Sequence, residues 1–369
     1  MSQIYNLTAG AGTSRLAVLF CSLPLFWLVE PALSAMRVSS AGKTATSRLA
    51  HLRRKAAPKK AAMTAQENLA RDRTTGEGLV NEAIHLRNEW KEESLKAAAE
   101  KYRSSIPLFN KAGDKRAEAR VLLGWGEILA TLGEENQALD RFKRALKLAA
   151  ASGDVKLQVD ILNRLVGSEM IREKADSVSH ANQALDLAEK STYVRGKADA
   201  LMNLGHIAMY GRDPDKAGDY FNGALELYEG ESNPEGQAET LSNLGIAYGD
   251  SGKVEKAQEY FARALVFAAQ ANNPPKEARI NLAVGLSLTV KGRWQKALDL
   301  YRRTLLQVRQ FGDRKLLVTA LNGISDLNEA MGELDQALAG FEESLNLSRK
   351  IGDPGNRGTG PSLFRSRDR

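Results

Sequence analysis

The sequence predicts an all-α fold, an α-solenoid in which about six helix pairs stack along the chain. One observation is self-similarity, because residues 203–225 and residues 243–265 both open on Asn-Leu-Gly, both close on Ala-Leu and lie 40 residues apart. The other observation is composition: the chain has only 10 prolines in 369 residues, and long stretches consist of the good helix formers Ala, Leu, Glu and Lys. Repetition at a period of about 20–50 residues is typical of stacked structural units.

The repeated element is a helix with one face of small residues. A small residue in the second half of each unit recurs at steps of 40, 39, 40, 40, 40 and 40 residues. An aromatic residue three positions earlier and an alanine seven positions earlier lie on the same helical face. The third unit departs from this pattern at Ser177 and Ala181. The predicted packing residues are Ala138, Ala217, Ala257, Ala297, Ala337, Phe142, Phe221, Phe261, Tyr301 and Phe341.

Each unit is predicted to contain two helices joined by tight turns. Gly133, Gly252, Gly292 and Gly332 mark the turn within a unit, where a helix stops. Between units, Gly-Asp pairs such as 153–154 end one helix and cap the next. Because one pair cannot bury its own apolar face, neighbouring pairs must stack. The predicted array covers 76–352, in units of 76–112 (partly degenerate), 113–152, 153–191, 192–231, 232–271, 272–311 and 312–352.

This pattern resembles the tetratricopeptide repeat in its forty-residue form. The family's helix-contact glycine has a counterpart in four units, whereas two others depart, the third with Val166 or the nearby Gly167 and the last with Ser325. The resemblance implies a right-handed superhelix in which the first helix of each pair lines a concave groove. Residues 87–119 also resemble the opening repeat of bacterial arrays that precede a CHAT domain, a caspase-like peptidase or signalling module. The four matching glycines are Gly126, Gly205, Gly245 and Gly285.

The resemblance further implies which side chains face the groove. They stand just before the helix-contact glycine and one place after it. An asparagine suits peptide binding because its amide offers a donor and an acceptor without a charge. The alternative for each of these residues is a solvated polar side chain or a hydrogen bond between helices. The groove candidates are Arg164, Asn203, His206 and Asn243, with Asp199, Glu239 and Tyr210 nearby.

We therefore predict a non-catalytic scaffold that binds a protein or peptide in this groove. The alternative is the sensory half of a CHAT-type system that lacks its effector domain. No cofactor, metal site or catalytic residue is predicted, since no motif supplies a nucleophile, a base and oxyanion donors in one cleft. The chain has 1 cysteine, Cys21, which excludes an internal disulfide and a zinc site built on cysteines.

The first 75 residues are predicted to lie outside the array. Arg15, the apolar run 16–29 and the small residues after it predict a signal peptide over 1–35. The run is shorter than the roughly 20 residues that a stable membrane span needs. Export to the periplasm or the outside is therefore expected, with a cytoplasmic location as the alternative.

The segment 36–75 is predicted to be a disordered linker, and its basic residues account for the whole of the formal charge of +7, since the rest of the chain is close to neutral. Because it offers no aromatic side chain to stack on bases, no nucleic-acid partner is expected. The tail 353–369 is also predicted to be disordered. This would leave apolar side chains of 334–350 exposed, so self-association through this uncapped repeat is a further hypothesis.

Overall fold

A computed structural model describes residues 40–170 and 174–350. The predicted signal peptide 1–35 and the predicted tail 353–369 lie outside the described residues, and both stay predictions. The chain divides into one unit up to Ala65 and a second from Gln66 onward. The second unit carries the repeats.

Helices make up the regular structure of the described residues, and no strand occurs among them. The all-α solenoid predicted from the sequence is confirmed. The helices are α1 Ser40–Arg87, α2 Glu92–Ala112, α3 Lys115–Thr131, α4 Glu135–Ser152, α5 Val155–Glu169, α6 Lys174–Lys190, α7 Val194–Tyr210, α8 Pro214–Gly230, α9 Pro234–Asp250, α10 Val254–Ala271, α11 Pro274–Val290, α12 Trp294–Val308, α13 Arg314–Ala330 and α14 Leu334–Lys350.

Helix α1 differs from the sequence prediction. It begins at Ser40, so residues 40–75 are helical, although a disordered linker is predicted for 36–75. The segment is rich in Ala, Lys and Arg, which have high intrinsic helix propensity. The local preference of these residues outweighs their net charge, on which the prediction of disorder depended.

Local capping sets the start and end of most repeat helices. Gly113 and Gly153 end α2 and α4 in the left-handed conformation, with φ of 69° and 71°. The side chains of Asp114, Asp154 and Asp313 then accept hydrogen bonds from the first turn of α3, α5 and α13. These contacts explain why the Gly-Asp pairs mark the unit boundaries.

Replacing Asp154 by alanine is expected to lower the free energy of unfolding by about 1–2 kcal/mol. Asp154 accepts a hydrogen bond from the backbone N–H of Leu157 at 3.1 Å and one from Nε of Arg116 at 2.5 Å, and the substitution removes both. Urea denaturation followed by circular dichroism measures the loss. The control is Asp186→Ala, since this exposed aspartate forms an ion pair with Lys190 one helical turn away and does not cap a helix. An equal effect of both changes would contradict the capping role.

The core of each pair is an aromatic ring packed on a helix glycine. A Cβ added at Gly126, Gly205 or Gly245 would lie 2.4, 2.3 or 2.7 Å from the ring of Phe142, Phe221 or Phe261. Gly285 meets Tyr301 in the same way, at 2.4 Å. The alanines predicted to pack there are buried as well: Ala138, Ala217, Ala257, Ala297 and Ala337. The glycine is needed because the aromatic ring occupies the space of a side chain.

The two units without this glycine differ in their packing. In the third unit Val166 and Ala181 are both fully buried and belong to one cluster with Leu204. Four other units pair a glycine on the first helix with an aromatic residue on the second, whereas this unit has the larger side chain, Val166, on the first helix and the smaller, Ala181, on the second. The total side-chain volume at the interface is therefore similar. In the last unit Ser325 is buried, and its partner Phe341 stays half-buried.

Helix α14 is the last helix that the structure describes, and it carries exposed apolar side chains. Leu334 is 65% exposed and Leu338 is 60% exposed. The exposure predicted for 334–350 is therefore seen. Self-association through this face stays a hypothesis.

The first helices of the pairs form the inner layer of the array. Successive first helices contact one another: α3 with α5, α5 with α7, α9 with α11 and α11 with α13. The second helices α4, α6, α8, α10 and α12 each pack mainly between the first helix of their own pair and that of the next pair. Because a curved array brings its inner elements closer together, the first helices lie on the concave side.

Candidate functional site

The predicted groove residues lie together on three successive first helices. Arg164 is on α5, Asp199, Asn203, His206 and Tyr210 are on α7, and Glu239 and Asn243 are on α9. All are at least partly exposed, whereas their neighbours Met202, Leu204 and Ala208 are buried. We refer to Arg164, Asp199, Asn203, His206, Glu239 and Asn243 as the inner stripe. Tyr210 lies beyond it, at the end of α7, and is 54% exposed.

Asn203 is oriented by the preceding repeat. Its side-chain Nδ2 donates hydrogen bonds to the backbone oxygen and to Oδ1 of Asn163, both at 3.1 Å. Asn163 is buried on α5 and donates from its own Nδ2 to the backbone oxygen of Gly196 at 3.1 Å. This network joins α5 to α7, so the amide of Asn203 has a defined direction on the surface. The network is the inter-helix alternative considered for this residue in the sequence.

Asn243 and His206 come next along the stripe. Nδ2 of Asn243 donates to Sδ of Met202 at 3.9 Å. The His206 ring packs edge-to-face on Phe221 with a centroid distance of 5.5 Å. Burial lowers the pKa of His206, and nearby Glu239 partly opposes this shift. The imidazole is therefore neutral at pH 7, with one nitrogen as donor and one as acceptor.

Acidic side chains occupy one register of the inner layer. Asp160, Asp199 and Glu239 stand at corresponding positions of α5, α7 and α9, spaced by 39 and 40 residues. The hydroxyl of Tyr193 donates to Oδ1 of Asp160 at 2.9 Å, and the hydroxyl of Tyr228 donates to Asp199. Burial raises the pKa of both aspartates. Sequence reasoning missed Asp160, although its spacing from Asp199 was the available signal.

Cations flank this acidic register on both sides. Nε of Arg164 lies 2.7 Å from Oε1 of Glu127, which sequence reasoning also missed. Nζ of Lys276 lies 2.7 Å from Oε2 of Glu239, and the lysine's charge lowers the pKa of Glu239 to about 2. Both signs of charge therefore occur along the stripe, and these pairs hold Arg164 and Glu239 in place.

Beyond the stripe lies a recess between α9, α10 and α11. Its lining is mostly apolar but also includes Asp250 and Ser287; the apolar residues are Ile246 on α9, Val254 and Phe261 on α10, and Ala283, Leu286 and Val290 on α11. Val290 is 48% exposed. The inner layer thus presents amides and charges at α5–α9 and aliphatic side chains at α9–α11. Such a surface can bind a segment through both its backbone and its side chains.

Two further properties of the described residues bear on function. Within residues 40–170 and 174–350, no cluster of His, Cys, Asp or Glu side chains has an arrangement that could ligate a metal ion. None of the helices in this part of the chain has the length and apolar character required to cross a bilayer.

Comparison with known proteins identifies the repeats. The tetratricopeptide repeat family matches residues 196–268 and 276–350. These residues therefore carry tetratricopeptide repeats, as the sequence predicted. No curated protein matches the sequence of this chain.

Solved structures show the same fold at low identity. The Rap conjugation gene regulator of the plasmid pLS20, in complex with the Phr* peptide, is similar with a TM-score of 0.62 and 14% identity, over 76% of this chain and 75% of that one. NprR in complex with its cognate peptide NprX gives a TM-score of 0.57 and 14% identity, over 74% and 79%. Aspartyl phosphate phosphatase F from Bacillus subtilis gives 0.55 and 15%, over 87% and 79%.

Proposed function

We propose that this protein is a non-catalytic scaffold that binds a peptide or an extended protein segment along the inner stripe. The observation that carries the proposal is the run of partly exposed amides and charges on three successive first helices. Two structures of similar fold are complexes with peptides, which supports the same use of the fold here. The hypothesis of a sensory array for a separate CHAT-type effector stays a prediction from residues 87–119.

The proposed binding mode follows from the chemistry of the stripe. Asn203 and Asn243 offer amides whose Nδ2 atoms are hydrogen-bonded to Asn163 and to Sδ of Met202, respectively, so each amide has a defined direction. An extended peptide exposes its own N–H and C=O groups, which such amides can bind without selecting one side chain. The recess between α9, α10 and α11 would then receive a small apolar group of the ligand, such as a methyl group.

The test uses peptides selected from a displayed random library on the full-length protein. Their affinity is measured by fluorescence anisotropy on the unchanged protein and on Asn203→Ala/Asn243→Ala. Loss of about two hydrogen bonds, at roughly 0.5–1.5 kcal/mol each, predicts binding weaker by about five- to a hundredfold. Thermal denaturation of the variant verifies that its fold is retained.

The matched control is Asn136→Ala/Asn182→Ala, which makes the same chemical change at exposed positions of the second helices α4 and α6. This variant should bind like the unchanged protein. Equal affinity of both double variants would mean that the ligand does not contact the stripe, and the proposal would then fail.

A further inference from the structure

The turn between α12 and α13 contacts the turns of the first two helix pairs, far from the stripe in sequence. Helices alternate in direction, so the turns within pairs lie at one edge of the layer and the turns between pairs at the other. The backbone N–H of Gly312, in the turn between α12 and α13, donates to the backbone oxygen of Trp90, in the turn between α1 and α2, at 2.7 Å. The array therefore closes a superhelical turn on itself.

Charged side chains extend this contact. Nη2 of Arg314 lies 2.7 Å from Oε1 of Glu92, and Nη1 donates to the backbone oxygen of Leu132 at 3.2 Å. Lys315 pairs with Glu135. Glu92 begins α2, while Leu132 and Glu135 flank the turn between α3 and α4. The single turn between α12 and α13 therefore contacts both the α1–α2 pair and the α3–α4 pair.

Gly312 is shaped for this close approach. A Cβ there would lie 2.5 Å from Cδ1 of Leu95 and 3.0 Å from Cα of Glu92. The glycines at the same place in earlier unit boundaries, Gly113 and Gly153, have positive φ and no atom within 4 Å of such a Cβ. Gly312 is thus required by packing between distant repeats, whereas the earlier glycines are required by their turns.

Gly312 and Leu95 are buried in the contact, whereas its ion pair between Arg314 and Glu92 is partly exposed and therefore depends on charge and salt. The side chains of Arg314 and Glu92 are 25% and 35% exposed. Ion pairs of this kind contribute little individually and are weakened by salt. A seam built from a few of them can open without unfolding the helices on either side.

We propose that the turn between α12 and α13, with Arg314 and Lys315, is an electrostatic latch that holds the array in a closed superhelical turn. Raising the ionic strength or reversing one charge releases it. Because the first helices face inward, the latch also sets how wide the concave side can open for a ligand. This last consequence rests on the proposed function, whereas the latch itself does not.

The test measures the distance across the seam in the full-length protein without any ligand. Spin labels are attached to Ala97→Cys on α2 and Gln307→Cys on α12, both exposed positions, in a Cys21→Ser background. Pulsed electron–electron double resonance should give one narrow, short distance at low salt. In 1 M NaCl, in Arg314→Glu and in Gly312→Leu, this population should be lost in favour of longer distances. The charge swap Glu92→Arg/Arg314→Glu should recover part of it.

Two matched controls separate the latch from general destabilisation. Arg309→Glu makes the same charge reversal five residues away, at an ion pair with Glu343 that joins neighbouring helices only. Gly167→Ala adds a Cβ where no atom lies within 4 Å. Both should keep the short distance. An unchanged distance in 1 M NaCl, Arg314→Glu and Gly312→Leu would overturn the latch, and this outcome is independent of whether the stripe binds peptides.

Discussion

Replacing Gly205 by valine is expected to lower the free energy of unfolding by about 2–3 kcal/mol. Gly205 is buried on α7, and a Cβ there would lie 2.3 Å from Cε1 of the fully buried Phe221. The two helices would have to separate, or the ring would have to leave its place. Replacing Phe221 by alanine instead leaves a cavity and is expected to cost about 3–5 kcal/mol.

The two changes together should cost less than their sum. Gly205→Val/Phe221→Ala reproduces the arrangement of the third unit, where Val166 and Ala181 are both fully buried. We expect a favourable coupling of about 1–3 kcal/mol from a double-mutant cycle, measured by urea denaturation. The control Gly218→Ala places a methyl group where no atom lies within 4 Å and should change little. If the losses in the free energy of unfolding are additive, the packing of Val166 on Ala181 does not explain the stability of the third unit.

Replacing Asp326 by asparagine is expected to stabilise the protein at pH 7.5 and to have little effect near pH 4. Burial raises the pKa of Asp326 from 3.8 to about 6, and nearby Glu329 adds to this shift. Its Oδ2 is buried and accepts no hydrogen bond within the described residues. Because the folded-state pKa lies above the unfolded one, stability is full below about pH 4 and is lost as the pH rises through 6.

The size of the gain follows from that shift. A full shift of this size corresponds to about 3 kcal/mol, and partial solvent access reduces it to about 1–2 kcal/mol. Urea denaturation at pH 4 and at pH 7.5 measures the gain. The control Glu329→Gln removes the neighbouring exposed charge and should give a smaller gain in the same direction. A gain from Asp326→Asn that is equal at both pH values would mean that removal of the charge is not its cause.

The sequence predicts the positions of the candidate groove residues, and their function stays a proposal. The repeat register placed Arg164, Asp199, Asn203, His206, Glu239 and Asn243 on first helices, because a fixed position in each unit faces the same way. The contacts of these side chains were not predictable. Asn203 donates to Asn163 and Glu239 pairs with Lys276, and both contacts cross from one repeat to the next.

The sequence alone determined the repeat, the positions of its glycine turns and its packing rule, because stacked pairs must present the same small and aromatic residues at every interface. It also placed the Gly-Asp caps, which act within a few residues of the chain. The repeat pattern did not predict that residues 40–75 are helical, which follows from their local helix propensity. It also did not predict that Val166 and Ala181 pack together in the third unit, which follows from their side-chain volumes.

Only the tertiary structure decided that Gly312 meets Trp90 and that Arg314 meets Glu92. These contacts depend on small rotations between repeats that accumulate along the array. No single residue determines the total rotation along the array. The contact between the α12–α13 turn and the first two pairs therefore forms only when all the pairs are assembled.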